Sequence, residues 1–140
     1  MSVDNVAVVE AFWETLARRD FDAVGAMMSE RGHYADVPVL DVDPGAFGPT
    51  ETSARLALGL APLAGYTLHP GTIVASGDIV VTEHVEDWRW ESGETASLRF
   101  CSVMEVRGGL VDRWWDYWDL GALMNAAPTW WVEQIAVGYK

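Results

Sequence analysis

One cysteine, Cys101, is all the chain contains. An internal disulfide and a cysteine-rich zinc site are thereby excluded. Basic residues are also few, 9 Lys and Arg against 21 Asp and Glu, for a formal net charge of −12. Binding to a phosphate backbone depends on Lys and Arg displacing counterions, so neither nucleic acid nor a membrane surface is an expected partner. No apolar run approaches the roughly 20 residues needed to cross a bilayer, and Val6–Trp13 is broken by Glu10. Met1-Ser2-Val3-Asp4 lacks the basic start and small-residue cleavage site of a signal peptide, which predicts a cytoplasmic protein. His33 and His69 form no ligand spacing with His84, so no metal site is expected, although His84-x-Glu86 offers two donors. A glycine-rich phosphate cradle is missing too, since Gly108-Gly109 reads as a hairpin turn.

What is present is apolar: half of the 140 residues are hydrophobic and 21% are charged. That excludes a disordered chain, whose burial could not offset the entropy of ordering. The length predicts one domain over residues 1–140. Eight tryptophans, several clustered as Trp88/Trp90, Trp114/Trp115/Trp118 and Trp130/Trp131, exceed what a small core needs. Some of these rings are expected at a pocket or a subunit interface.

The periodicity predicts a helix from about Asp4 to Arg19, carrying Val6, Val9, Trp13 and Leu16 at the 3.6-residue spacing, with Asp4 as its cap. Asp20 reads as the cap of a short second helix carrying Val24, Met27 and Met28, closed near Gly32. Gly32–Val39 is strand-like, Asp41–Gly48 is a loop, and Pro49 opens a third helix running to about Leu60. From Tyr66 the period becomes two. Tyr66–Ser76, Ile79–Trp90, Thr95–Val106 and Leu110–Trp118 read as long strands joined by tight turns, hence antiparallel neighbours. Pro128 precedes a short helix at Thr129–Val137. Helices first and strands after predict an α+β fold with helices packed on one face of a curved, mostly antiparallel sheet, whose concave side is a ligand site.

Alternation sorts the chemistry. Val80, Thr82, His84, Glu86, Trp88 and Trp90 share one strand face, and Leu110, Asp112, Trp114, Asp116 and Trp118 share another. Both sets place ionisable groups among large rings. Either these groups face the concave interior, or the faces are mixed and Glu86 and Asp116 are solvated near strand ends; periodicity leaves both open. Cys101 and the pair Met27, Met28 read as ordinary apolar residues.

Three motifs resemble one family. Thr82-Glu83-His84-Val85-Glu86 precedes by 30 residues the aspartate of Trp114-Trp115-Asp116-Tyr117-Trp118-Asp119, and Tyr34-Ala35-Asp36-Val37-Pro38 stands upstream. Together they are similar to limonene-1,2-epoxide hydrolases. That family sits in the nuclear-transport-factor-like superfamily with SnoaL-like polyketide cyclases and ketosteroid isomerases. The resemblance spans the first helix to about Leu123 and implies the cystatin-like cone fold.

It further implies that Asp116 activates water and that Tyr34 assists it. Three positions depart from the pattern. Glu86 stands in place of a proton-donating aspartate, His84 in place of a bridging arginine, and Asp36 in place of an asparagine. Three carboxylates in one pocket cannot all stay ionised, which favours proton transfer. The expectation is a cofactor-independent acid–base enzyme opening an epoxide on a small, uncharged, apolar substrate. The alternatives are an isomerase or cyclase moving a proton next to a carbonyl, and a non-catalytic binding domain. Asp116, Glu86, His84, Tyr34 and Asp36 are the expected catalytic set. Trp88, Trp114, Trp118 and Val80 are the expected substrate lining. The resemblance also implies a homodimer, paired through the face bearing Trp115, Tyr117, Arg99 and Cys101.

Overall fold

The computed structural model describes residues 4–140. Helix α1 spans Asn5–Ala17 and is capped by the Asp4 carboxylate, which accepts from the Ala7 N–H at 3.2 Å. This satisfies a backbone donor that the first helical turn leaves unpaired. Its inner face carries Val9, Phe12, Trp13 and Leu16, all buried, and each large side chain removed from water stabilises the fold by about 1.5–3 kcal/mol. Helix α2, Phe21–Ala26, is capped by Asp20 in the same way.

Strand β1 covers Met28–Asp36, a 3-10 turn Val37–Val39, strand β2 Ala46–Phe47, and helix α3 Gly48–Leu60. The long strands follow: β3 Leu63–Ser76, β4 Ile79–Trp90, β5 Thr95–Arg107 and β6 Leu110–Tyr117. Helices α4, Leu120–Ala126, and α5, Thr129–Val137, complete the chain. The six strands form one sheet in the order β2-β1-β6-β5-β4-β3.

Four features differ from the sequence-based expectation. Met28 belongs to β1 rather than to the second helix, because the Met27 carbonyl accepts from Val111 and starts the pairing with β6. The β1–β6 pairing is parallel, made by the long crossover that parallel strands require. Asp112 is a bulge: Val106 faces Val111 while Glu105 faces Arg113, so one residue of β6 is unpaired. Inward parity therefore switches, and Val111 is buried while Leu110 is exposed and Asp112 only half-buried. Helix α4 stands where the sequence pattern predicts no element; the Asp119 carboxylate caps it by accepting from the Ala122 N–H.

The sheet curls around α1. Register shifts in β3 at Pro70–Ile73 bend that edge strand, where proline forfeits no interior ladder bond. Gly71 permits the bend, since a Cβ there would collide with the carbonyl oxygen of Glu83. The concave face is paved by alternate residues of β4, Val80, Thr82, His84, Glu86, Trp88 and Trp90, all buried. On the convex face Tyr117 and Arg99 are exposed, and Trp115 and Cys101 are half-buried.

Candidate active site

A cavity of about 700 Å³ opens between the concave sheet, α3, the loop after β1 and the C-terminal helices. That volume is in the range of small-molecule sites. Leu98, Phe100, Trp118, Leu123, Met124 and Ile135 supply much of its apolar wall. Tyr34, Asp36, Arg55, Glu86 and Asp116 reach the same wall, so four of the five residues expected to be catalytic share one cavity.

Asp116 is the most enclosed of the carboxyls by neutral donors. Its Oδ1 accepts from the Ser102 hydroxyl at 2.6 Å and from Trp114 Nε1 at 2.7 Å. Both contacts follow from local geometry: Ser102 is directly opposite on β5, and Trp114 is two residues back on the same face. The other oxygen, Oδ2, receives no hydrogen bond from the described residues. Burial drives this carboxyl well above the ordinary carboxylate range, the charge of Asp36 adds to that, and the bond from Ser102 offsets part of it.

Asp36 is held differently. Its Oδ2 accepts from Arg55 Nη2 at 3.0 Å and Nε at 3.3 Å, and its Oδ1 accepts from Trp118 Nε1 at 3.0 Å. Burial raises its pKa, while the charge and hydrogen bonds of Arg55 oppose the rise. Arg55 also donates from Nη1 to Asp43 at 2.9 Å and lies 5.6 Å from the centre of the Tyr34 ring. Burial works against the guanidinium charge, but the charges of Asp36 and Asp43 and the hydrogen bond to Asp43 outweigh it, so Arg55 is a fixed cation.

Glu86 has both oxygens engaged. Trp88 Nε1 donates to Oε1 at 3.0 Å, and His84 Nε2 lies 2.8 Å from Oε2. Tyr66 approaches Glu86 from β3 with its hydroxyl buried. Tyr34 stacks on Trp114 with ring centres 3.8 Å apart and planes 12° apart. Burial, reinforced by the charges of Asp36 and Asp116, keeps its phenol proton in place well above the usual range. The hydroxyl is thus a neutral donor.

Two expected site residues lie elsewhere. Val80 is fully buried but does not line the cavity, because it sits toward the turn end of β4, packed in the core beneath α1. His84 is behind the cavity wall, sandwiched between Trp13 at 4.5 Å and Phe100 at 4.9 Å. It pairs with Glu86 and does not bridge to Asp116. Trp88, Trp114 and Trp118 do border the cavity.

Sequence reasoning passed over Arg55 and Ser102. Arg55 had a signal: it is the only Lys or Arg between Arg31 and Arg89, set in an otherwise apolar helix segment. Ser102 is directly opposite Asp116 once the turn at Gly108 fixes the hairpin register, but one bulge decides that pairing.

A family model described as a SnoaL-like domain matches residues 9–114. Among solved structures, the chain is similar to an LEH-like epoxide hydrolase of M. tuberculosis, at 25% identity and a TM-score of 0.73 over 89% of each chain. It is also similar to a Catenulispora acidiphila protein of ketosteroid isomerase-like fold in complex with trimethylamine. There the identity is 19% and the TM-score 0.74, over 85% of this chain and 90% of that one. A Shewanella denitrificans protein described as a SnoaL-like polyketide cyclase aligns at 9% identity and a TM-score of 0.74, covering 86% and 93%. The last two likenesses show the cone fold alone. No curated protein matches the chain in sequence.

Proposed function

The chain belongs to the SnoaL-like domain family, whose fold serves small-molecule isomerases, cyclases and epoxide hydrolases, and on that premise we propose that it opens an epoxide with water by cofactor-independent acid–base catalysis. The observation that carries the reading is the unequal bonding of the three cavity carboxyls. Asp36 and Glu86 have both oxygens engaged, whereas Asp116 Oδ2 meets no donor among the described residues. An oxygen with no partner, on a carboxyl whose proton affinity is raised by burial, is suited to take a proton from a bound water.

In this mechanism a water donates one hydrogen to Asp116 Oδ2 and the other toward Asp36, and accepts from the Tyr34 hydroxyl. As Asp116 takes the first proton, the water oxygen attacks a ring carbon and the carbon–oxygen bond of the epoxide breaks. The ring oxygen receives a proton from the Glu86–His84 pair, whose facing atoms lie 2.8 Å apart. The product is a vicinal diol, and proton return from Asp116 to the pair through solvent restores the site. The apolar wall and the rings of Trp88, Trp114 and Trp118 suit a small, uncharged, largely hydrocarbon substrate.

A second reading rests on the same residues. Tyr34, which keeps its phenol proton, and Asp116, when it carries one, line the same cavity and would form a pair of donors able to stabilise an enolate oxygen, which is what an isomerase or cyclase needs. Turnover of an epoxide panel in ¹⁸O-labelled water separates the two. The hydrolase reading expects one labelled oxygen per diol. Deuterium entering a carbonyl substrate from D₂O, with no diol from any epoxide, overturns it in favour of the isomerase. Binding without either reaction overturns both.

A further inference from the structure

We propose that Arg55 is a positioning residue: by holding Asp36 as the anion of the facing Asp36–Asp116 pair, it makes Asp116 the member that takes up and gives back the proton and leaves the working oxygen there. The inference deepens the reading above and rests on it for its meaning in catalysis, but its physical content concerns the free protein. Asp36 and Asp116 are register partners on the parallel strands β1 and β6, about 4.8 Å apart along the sheet. Two buried carboxyls on neighbouring strands, each raising the other's proton affinity, lose their protons in two steps, so that one keeps its proton to higher pH. Which one keeps it is decided by the other charges in reach.

Those charges are few. Tyr34 shares β1 with Asp36; Glu86 faces the pair from β4 with His84 behind it, Tyr66 approaches from β3, and Asp43 from the loop. Among the described residues two cations line the cavity: Lys140 pairs with Glu51 at 3.5 Å, whereas Arg55 contacts Asp36 through two nitrogens and Asp116 through none. The guanidinium is itself fixed. Asp43 takes its third contact, from Nη1, and the Asp43 carboxyl is steadied by the Gly45 N–H at 3.0 Å. Although partial burial pushes Asp43 up, that N–H and Arg55 together hold it below the usual carboxylate range, so it stays an anion. Gly45 lies tight over β1 at φ 90°, where a Cβ would collide with the carbonyl of Tyr34. The Pro44 carbonyl is tied to His33 Nε2 at 2.6 Å. The loop therefore presents Asp43 at one place, Asp43 orients Arg55, and Arg55 orients and charges Asp36.

The test is the carboxyl ¹³C titration of Asp36 and Asp116 in the free protein by NMR, with each resonance assigned by its Asn variant. In the unsubstituted protein Asp116 is expected to titrate at the higher pH. Arg55→Gln removes the cation, so Asp36 should move up and Asp116 down, each by at least about one pH unit, the scale of a close opposite charge. Arg55→Lys keeps the charge without the planar fork and should preserve the order with a smaller gap. If Asp36 titrates above Asp116 in the unsubstituted protein, the proposal is overturned, whatever the variants do. An unchanged order and spacing in Arg55→Gln, checked as folded by circular dichroism, overturns it as well. Should Arg55→Gln not fold, an unaltered gap in Arg55→Lys counts against it. On an epoxide substrate, Arg55→Gln should also move the acid limb of kcat/KM to lower pH, because Asp116 then ionises earlier. Failure to turn over any epoxide removes the hydrolase reading, while the titration order still decides the role of Arg55.

Discussion

Asp36 and Asp116 stand side by side on parallel strands β1 and β6, yet the guanidinium of Arg55 touches only Asp36. Asp116 is met instead by two neutral donors, Ser102 and Trp114, both on the same oxygen. Two identical side chains thereby acquire different proton affinities from their surroundings. One is suited to hold charge and the other to exchange a proton, the division that acid–base catalysis near neutral pH needs.

The pH dependence of stability follows from Asp116. Its folded pKa lies above the unfolded value because burial penalises the charged form. Folding therefore favours the protonated group. The stability this contributes is fully present below the unfolded carboxylate pKa, about 3.9, and is lost as pH rises through the folded value. Asp116→Asn carries a permanently neutral isostere. Its melting temperature should exceed that of the unsubstituted protein above the folded pKa, and the difference should shrink as pH falls. Parallel melting curves across the whole range would contradict a protonated Asp116.

Ser102 tunes this carboxyl. Its hydroxyl donates at 2.6 Å to Asp116 Oδ1 and favours the charged form. Ser102→Ala should shift the acid limb of kcat/KM to higher pH by about 0.7 unit, if the bond is worth about 1 kcal/mol at 1.36 kcal/mol per unit. The plateau rate should change little. A fall in the plateau with no displacement of the limb would assign Ser102 to substrate contact instead.

Trp131 anchors the C-terminal helix against the cavity. Trp131 of α5 is buried, with its ring 5.8 Å from Trp88 and 5.6 Å from Trp90, and its Nε1 donates to the Gly59 carbonyl at 2.9 Å. Trp131→Ala should cost about 3–5 kcal/mol in chemical denaturation, as large buried aromatics do on truncation. It should also raise KM more than it lowers kcat, since the reacting groups lie on β1, β4 and β6. Little loss of stability would mean that α5 docks elsewhere.

Long strands were legible from their alternation, because one face of each is buried against α1 and the period of two is enforced by packing. The helix caps Asp4, Asp20 and the start at Pro49 were legible for the same local reason: a side chain or ring answers a backbone requirement within a few residues. The resemblance to limonene-1,2-epoxide hydrolases points to Tyr34, Asp36, Glu86 and Asp116, and alternation by itself sets only Glu86 and Asp116 among large rings. What escaped depends on contacts distant in sequence. The bulge at Asp112 shows only in the mismatch between β5 and β6, and it moved Leu110 and Asp112 off the inner face. The parallel β1–β6 pairing joins segments some 80 residues apart. Arg55 comes from a helix, 19 residues from the carboxylate it holds, and no periodicity ties the two. His84 was placed on the correct strand face, but alternation does not give depth. It stands behind Glu86, filling the gap between Trp13 and Phe100.

The account turns on Asp116 Oδ2 as the proton acceptor. The most direct test is single-turnover hydrolysis of an accepted epoxide by Asp116→Asn beside the unsubstituted protein, with circular dichroism confirming that both are folded. Asn keeps the shape and the contacts to Ser102 and Trp114 while removing the basic oxygen. The account predicts a rate lower by a factor of about 10²–10⁴, the usual worth of general-base catalysis, with substrate binding retained. A folded Asp116→Asn that turns over within a few-fold of the unsubstituted protein would contradict it.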